Sequence, residues 1–144
     1  MIGIKNQFIV DADVPFASST ALLTVGLTSP IAANERQTIR AWVPLTTGAT
    51  GGVQLQVKAP AGGSYFINNV TFFDLVANSF IGTVATSSAP IGDALANAGN
   101  HLVTIEATII NGATAGNVDI QFAQNSAANT TTILKGGIME VVKG

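Results

Sequence analysis

The sequence predicts an all-β protein: an antiparallel β-sandwich of eight to nine strands, for which we favour the jelly-roll form. Two observations predict this class. Short runs of alternating apolar and polar residues recur along the chain between turns rich in Gly, Asn and Thr, and no apolar stripe follows the 3.6-residue period of a helix. A closed barrel satisfies the same two observations, so both architectures stay open at this level.

A strand–loop–strand pattern occurs twice. Residues 38–57 and residues 104–122 each hold an alternating strand, a loop that starts with Gly-Ala-Thr, and a second alternating strand. A jelly roll places early and late strand pairs in related positions, so the repeat favours that fold, although a plain hairpin meander gives the same pattern. The two copies share no acid, base or nucleophile. The repeat therefore indicates architecture, and we expect the function to reside in surfaces.

Nine segments have the alternation or the β-branched and aromatic content of strands. The predicted strands are residues 6–10, 18–27, 37–45, 53–59, 64–76, 80–86, 101–110, 117–124 and 131–142. Because successive side chains of a strand point to opposite faces, every second residue is expected to face inward. The positions expected to line one core include Ile39, Ala41, Val43, Leu45, Val53, Leu55, Val57, Val118, Ile120 and Phe122.

Proline and asparagine mark the breaks between the first strands. Residues 11–15 are predicted to form a turn, because Pro15 has no amide to give to a ladder. Residues 28–35 are predicted to form a loop, with Pro30 and Asn34 as its turn residues.

The later breaks are of three kinds. The Asn68-Asn69 pair interrupts an aromatic-rich strand, which indicates a bulge or kink there. Residues 89–100 contain two glycines, a proline and four alanines, and are predicted to form a long loop or one helical turn. Gly136-Gly137 is expected to bend the last strand.

Charge is unusually scarce in this chain. Its length of 144 residues fits a single domain, residues 1–144, and only 10% of them are charged, against about 25% in an ordinary soluble domain. The mean hydropathy is +0.44 and the net charge is −2. A small sandwich with a neutral polar surface has this composition, but we favour a subunit whose surface is committed to neighbours, as in a homotrimer.

Several classes of partner are not expected. The longest uncharged stretches, such as residues 75–92, are broken by polar residues and proline, so no membrane span is predicted, and the amino terminus does not read as a secretory signal. Six scattered basic residues with a negative net charge argue against nucleic acid. The chain has no cysteine, which fits a cytosolic site of synthesis.

Few residues offer chemistry, so we expect neither an enzyme nor a cofactor. His101 is the single histidine, and a triad or zinc site needs more imidazole or thiolate than that. We expect it at the surface or in an interface, at the start of a strand. Asp11 and Asp13 lie two residues apart and present two carboxylates on one side, which suits a cation, but a turn before Pro15 is the favoured interpretation.

Trp42 is the most distinctive side chain. It falls on the Arg40 face of its strand, opposite the apolar face. That face is either covered by other parts of the fold or exposed as an anchor for a neighbouring subunit, since Trp and Arg are frequent in interfaces. An exposed Trp is also able to stack on a sugar. Tyr65 and the terminal apolar residues complete the candidate interface set, which is Trp42, Arg40, Tyr65, Met1, Ile2 and Ile4.

Several short motifs resemble a module of tailed-bacteriophage virion proteins. They are Thr-Val-Gly-Leu at 24–27, Pro-Ile-Ala-Ala-Asn at 30–34, Ala-Trp-Val-Pro-Leu at 41–45, Gly-Ala-Thr-Ala-Gly-Asn-Val at 112–118, Gln-Phe-Ala at 121–123 and Leu-Lys-Gly-Gly-Ile-Met-Glu-Val at 134–141. Together they span most of residues 18–143. The sequence departs from the pattern at Ser29, where these proteins usually have an aromatic residue before the proline.

The resemblance implies a β-sandwich, often trimeric, that decorates a capsid or forms part of a fibre or tail. It implies no catalytic residue. We therefore expect a capsid decoration (cement) protein that binds the major capsid protein and copies of itself on the capsid surface of the virion. The alternative is a fibre- or tail-associated module that binds a receptor or carbohydrate. Residues 1–6 and 141–144 are expected to act as terminal arms.

Overall fold

A computed structural model describes residues 5–17, 20–49, 51–85, 89–93, 97–126 and 129–144. The regular elements in these ranges are all β-strands, and none of the described residues forms a helix with the length and hydrophobicity of a membrane span. The strands are β1 (Lys5–Ile9), β2 (Val14–Phe16), β3 (Leu23–Ile31), β4 (Arg36–Thr47), β5 (Val53–Lys58), β6 (Ser64–Asp74), β7 (Ser79–Ala85), β8 (Ile91–Asp93), β9 (Gly99–Ile110), β10 (Gly116–Ala123), β11 (Thr131–Ile133) and β12 (Ile138–Lys143).

The strands form two antiparallel sheets. The large sheet has the order β1-β12-β4-β9-β6-β7, with β11 pairing β4 beyond the end of β12 and β2 pairing β11. The small sheet has the order β3-β10-β5-β8. Buried side chains from both sheets form one apolar cluster. The predicted antiparallel β-sandwich is confirmed, and its jelly-roll form stays a prediction.

The core follows the alternation of the sequence. The ten positions expected to face inward in the third, fourth and eighth predicted strands are all at most 1% exposed and belong to the one apolar cluster. The long register of β4 with β9, from Arg36↔Ile110 to Thr47↔Gly99, holds the centre of the large sheet. A shift of one residue along this ladder would expose the buried face, so burial itself fixes the register.

Two of the predicted breaks lie inside strands. Pro15 was expected in a turn but lies in β2, and Pro30 was expected in a loop but lies in β3. Both strands lie at a sheet edge: β2 pairs β11, and β3 pairs β10. An edge strand tolerates proline because the missing amide faces away from the ladder. The predicted second strand therefore begins and ends later than expected, at Leu23 and Ile31.

Pro44 lies opposite the break that divides the last predicted strand. It lies in the middle of β4, where β4 changes its partner from β12, paired up to Trp42, to β11, paired from Leu45. The Pro44 carbonyl accepts a hydrogen bond from the Leu134 amide, so this residue faces the gap between the two partner strands. The missing amide of Pro44 thus falls where no ladder bond is needed.

The described part of the chain has twelve strands, whereas eight or nine were expected for the chain. The difference arises because three short strands were missed. β2 and β8 lie in segments predicted as a turn and a loop, and the predicted strand 131–142 is β11 and β12. Gly136, with a φ of +88°, lies in the turn between them. The predicted bulge is confirmed, since the β6–β9 register shifts between Ile67 and Asn69.

The chain termini are less arm-like than expected. Lys5 and Asn6 belong to β1 and pair with Val142 and Val141 of β12. The expected carboxy-terminal arm is a strand of the large sheet between β1 and β4, and Val141 is fully buried. Burial of an apolar strand in the sheet is more favourable than a solvated arm. Residues 1–4, which include the candidate interface residues Met1, Ile2 and Ile4, lie outside the described residues.

Candidate functional surfaces

Trp42 projects from the outer face of the large sheet. Its strand neighbours Ala41 and Val43 are buried, so the alternation of β4 turns Trp42 outward, and 44% of its surface is exposed. Its register partners are Ile138 of β12 and Thr104 of β9. Of the two alternatives for this face, covered or exposed, the structure has the exposed one. The role of Trp42 as an anchor stays a prediction.

A row of side chains with alternating charge crosses this face beside Trp42, at the level of Arg40, which is two residues before Trp42 in β4. Lys5 Nζ lies 2.7 Å from Glu140 Oε1, and Arg40 Nε lies 3.3 Å from Glu106 Oε1. Arg40 is also the register partner of both Glu140 and Glu106. Ion pairs this exposed contribute at most about 1 kcal/mol each, so the row orients side chains more than it stabilises the fold.

Two shallow clefts lie on either side of Arg40. One, of about 340 Å³, is lined by Lys5, Thr38, Arg40, Glu140 and Val142. The other, of about 200 Å³, has a lining that includes Arg40, Trp42, Asn69, Thr104 and Glu106. We call the two clefts together, with the Arg40 side chain between them, the outer groove.

The β6–β7 hairpin carries an exposed apolar surface. Its large exposed side chains are Leu75 (57%), Val76 (55%), Phe80 (70%) and Ile81 (56%). Phe80 also packs against Phe73 across the hairpin, with ring centroids 5.9 Å apart. We call this set of four exposed side chains the apolar hairpin. This surface was not predicted, although the sequence carries a signal for it: Leu75-Val76-Ala77 is an apolar run at a turn, where polar residues are usual.

A buried polar cluster fixes the base of that hairpin. Asp74 Oδ1 accepts hydrogen bonds from the amides of Val76 (3.0 Å) and Ala77 (2.9 Å), and Asp74 Oδ2 accepts one from Asn97 Nδ2 (2.8 Å). An Asp that binds the amides two and three residues ahead sets a tight turn. These bonds restrict the loop between β6 and β7.

His101 is part of this cluster. It was expected at the surface or in an interface, but it is 1% exposed, because it lies on the inward face of β9 as the register partner of Asp74. His101 Nε2 lies 2.9 Å from the carbonyl oxygen of Asn97, which also accepts a hydrogen bond from Thr47 Oγ1. His101 Nδ1 lies 3.5 Å from Asp74 Oδ1.

The same contacts lower the pKa of Asp74. The backbone amide of Ala77 contributes most, followed by the side-chain amide of Asn97, and both stabilise the ionised carboxylate. Burial acts in the opposite direction, and His101 and the Val76 amide add smaller lowering effects. The carboxylate is therefore the form that holds the turn.

The remaining candidates have local contacts. Asp13 Oδ1 accepts a hydrogen bond from the Lys135 amide at 2.8 Å, so it joins the segment before β2 to the turn between β11 and β12, while Asp11 is exposed. Tyr65 is partly buried against the core and donates its hydroxyl to the Ala59 carbonyl. No group of three or more His, Cys, Asp or Glu suited to a metal occurs among the described residues. Among these candidates, Tyr65 was expected in a subunit interface, and that role stays a prediction.

Comparisons with known proteins give distant structural likenesses. No protein-family model matches the chain, and no curated protein matches it. The tripod from the baseplate of bacteriophage Tuc2009 is 12% identical with a TM-score of 0.33, over 92% of this chain and 64% of that one. The CBM22-1–GH10 modules of Clostridium thermocellum xylanase 10B, complexed with xylohexaose, are also 12% identical with a TM-score of 0.33, over 91% and 28%.

A viral structure is also similar, with a somewhat lower TM-score. The Gt strain structure of infectious bursal disease virus is 8% identical with a TM-score of 0.27, over 98% of this chain and 37% of that one. The chain thus spans less than two thirds of the length of each of these three proteins.

Proposed function

We propose that this chain is a structural protein of a tailed-bacteriophage virion, a capsid decoration protein that binds the major capsid protein on the outer shell. The motifs that resemble phage virion proteins support the class of protein. The apolar hairpin is the observation that carries the role of a binding subunit. The role needs no catalytic residue and no cofactor.

The apolar hairpin has the chemistry of a docking surface. Four large apolar side chains are more than half exposed at one hairpin, with Phe80 on its outer face and Ile81 on the face that turns toward the core, and apolar exposure of this kind marks interaction sites on soluble proteins. The Asp74 hydrogen bonds restrict the loop, so less conformational entropy is lost when a partner covers it.

The scarcity of charge supports the choice of partner. With six basic and eight acidic residues in the chain, a broad electrostatic field is not available for attachment. A shell protein that offers apolar and amide groups is the matching partner for this hairpin. A homotrimer on the shell is part of the proposal.

A co-sedimentation assay with purified capsids tests the proposal. Phe80→Ser removes the most exposed apolar side chain of the hairpin, and Leu23→Ser is the matched control, since Leu23 is 54% exposed on the small sheet. We expect Phe80→Ser to lose at least about tenfold in apparent affinity, a difference of about 1.4 kcal/mol, and Leu23→Ser to bind as the wild type does. Equal binding by all three proteins contradicts the docking role of the hairpin.

The number of copies in purified particles separates decoration from the alternative. A decoration protein covers the shell and is present in large copy number, comparable with the capsomers it joins. A fibre or tail component is present in far smaller number. Quantitative mass spectrometry of intact particles gives this ratio, and a small copy number contradicts decoration.

A further inference from the structure

We propose that the outer groove binds a neutral oligosaccharide, with Trp42 as its stacking platform. This binding activity is separate from the decoration role, because the outer groove and the apolar hairpin share none of their defining residues. The inference comes from three properties of the groove: its aromatic surface, its mixture of donors and acceptors, and its balanced charge.

The aromatic surface is the first of these properties. Trp42 is 44% exposed, and its neighbours across the sheet are Ile138 and Thr104. Indole is a large, rigid surface with few rotatable bonds, so its burial by a ligand is favourable and costs little entropy. The apolar C–H face of a pyranose ring is the complement of such a surface, since its hydroxyls remain at the edge of the ring.

Both hydrogen-bond donors and hydrogen-bond acceptors lie around the indole. Arg40 is a donor, Glu106 is an acceptor, and Asn69 and Thr104 are able to do both; all four line the same cleft as Trp42. A sugar hydroxyl donates one hydrogen bond and accepts others, so it needs a mixed set of this kind. The Arg40–Glu106 contact of 3.3 Å holds a donor and an acceptor side by side, and hydrogen bonds to charged groups are the stronger ones.

The balance of charge selects a neutral ligand. Lys5, Glu140, Arg40 and Glu106 alternate in sign along the groove, and they form two ion pairs. An anionic ligand such as phosphate meets two carboxylates here as well as two cations, and a cationic ligand meets the reverse. A ligand that is uncharged and rich in hydroxyls interacts favourably with each member of the row.

The dimensions suit an oligosaccharide. The groove residues lie on five adjacent strands, from β1 through β12, β4 and β9 to β6. At about 4.8 Å between neighbouring strands, these five extend across roughly 19 Å of sheet. The two clefts, of about 340 and 200 Å³, divide that length at Arg40, which leaves room for sugar rings on both sides.

The single tryptophan of the chain makes the groove directly observable. Fluorescence of the intact protein, excited at the long-wavelength edge where tyrosine does not absorb, reports on Trp42 alone while neutral hexasaccharides of glucose, xylose, mannose, galactose or N-acetylglucosamine are added. We expect a saturable change with at least one of these sugars and none with inorganic phosphate. Absence of a saturable change with all five sugars, or a change with phosphate alone, overturns the proposal.

Variants separate sugar binding from other causes of a fluorescence change. By calorimetry, Trp42→Ala is expected to weaken binding of the same sugar at least about tenfold, and Glu106→Gln by a smaller factor, whereas Leu23→Ser, on the other sheet, leaves it unchanged. Thermal unfolding confirms that each variant is folded. Wild-type affinity in both groove variants overturns the proposal, as does a fluorescence change that follows protein concentration rather than sugar, because that result makes the face a contact between copies.

Discussion

Asp74 and His101 face each other across β6 and β9, with Asp74 Oδ1 3.5 Å from His101 Nδ1. His101 Nε2 must donate its hydrogen bond, because its partner is the Asn97 carbonyl. His101 Nδ1 therefore faces the carboxylate, and it has no hydrogen-bond partner in the described structure. The pair links the centre of the large sheet to the loop of the apolar hairpin.

The Asp74 cluster predicts a loss of stability in acid. The pKa of Asp74 is lowered in the folded protein, chiefly by the Ala77 amide and then by Asn97, so the folded state binds this proton less readily than the unfolded chain. The carboxylate stabilises the fold above its ordinary pKa of about 3.9, and the contribution is lost as the pH falls through the folded value. Urea unfolding from neutral pH down to about pH 3 measures the slope.

Two variants test the assignment of this slope. Asp74→Asn keeps an oxygen acceptor for the Val76 and Ala77 amides but does not ionise, so its stability is expected to fall less steeply below about pH 4. Asn97→Ala removes one of the bonds to the carboxylate, so its slope is expected to lie between the other two. A slope in Asp74→Asn as steep as that of the wild type contradicts the role of Asp74.

The sequence predicted the buried positions better than the cluster that orders the hairpin. Alternation is a local property, so Leu55 and Ile120 could be assigned to the core from their neighbours alone, and both are fully buried. The environment of His101 depends on the β6–β9 register and on Asn97 beyond it. No pattern near His101 in the sequence contains that information, so a strand-end residue was expected at the surface.

Short strands were missed for a related reason. β2, β8 and β11 have three residues each, too few to show alternation, and they exist because longer neighbours offer them ladders. Pro44 shows the same limit, since its position in a central strand is acceptable only because the partner strand is interrupted there. Such compensation between distant segments is visible only in the fold.

Leu55 provides the test of the core. It is fully buried in β5 within the single apolar cluster, so Leu55→Ala is expected to lower the free energy of unfolding by about 2–5 kcal/mol. Gln56 is the matched control, because it lies next to Leu55 on the outward face of the same strand. Gln56→Ala is expected to change the free energy by less than about 0.5 kcal/mol.

Chemical denaturation of both variants measures the difference, and equal losses contradict the inward assignment. Gln54 is a less suitable control than the alternation alone suggests. Its side-chain amide donates to the carbonyls of Thr20 and Gln124, so Gln54→Ala removes two hydrogen bonds in addition to an outward side chain.

Two glycines predict opposite responses to alanine. A Cβ at Gly112 would lie 2.7 Å from the Gly62 carbonyl oxygen, a backbone atom that has to move to make room. A Cβ at Gly82, in β7, would meet side-chain oxygens of Asn69 and Thr71 at 3.7 and 3.9 Å, which is ordinary contact. We expect Gly112→Ala to destabilise the protein by about 1–3 kcal/mol.

Gly82→Ala is expected to be neutral or to stabilise by up to about 1 kcal/mol, because alanine reduces the conformational freedom of the unfolded chain. Thermal unfolding of the two variants gives the comparison. Similar midpoints for both contradict the argument from backbone contact.

Truncation at the amino terminus separates attachment from folding. The structure places the start of β1 at Lys5, so removal of residues 1–4 leaves every described strand intact, while removal of residues 1–9 also deletes the edge strand that pairs β12. We expect the shorter truncation to keep the wild-type unfolding midpoint and to weaken capsid binding, because residues 1–4 belong to the expected amino-terminal arm. Capsid binding unchanged by the shorter truncation contradicts the arm.

Salt provides the last prediction, on the force that holds the protein to the shell. Raising the salt from about 0.1 M to about 1 M shortens the Debye length from about 10 Å to about 3 Å, which screens exposed charge pairs but hardly affects buried apolar area. The apolar hairpin contains no charged side chain, and Phe80 at its edge is 70% exposed, so attachment through it should survive this change. Capsids washed at both concentrations and assayed for retained protein give the measurement. If the high-salt wash removes the protein while Phe80→Ser binds normally at low salt, attachment rests on charged groups elsewhere on the surface.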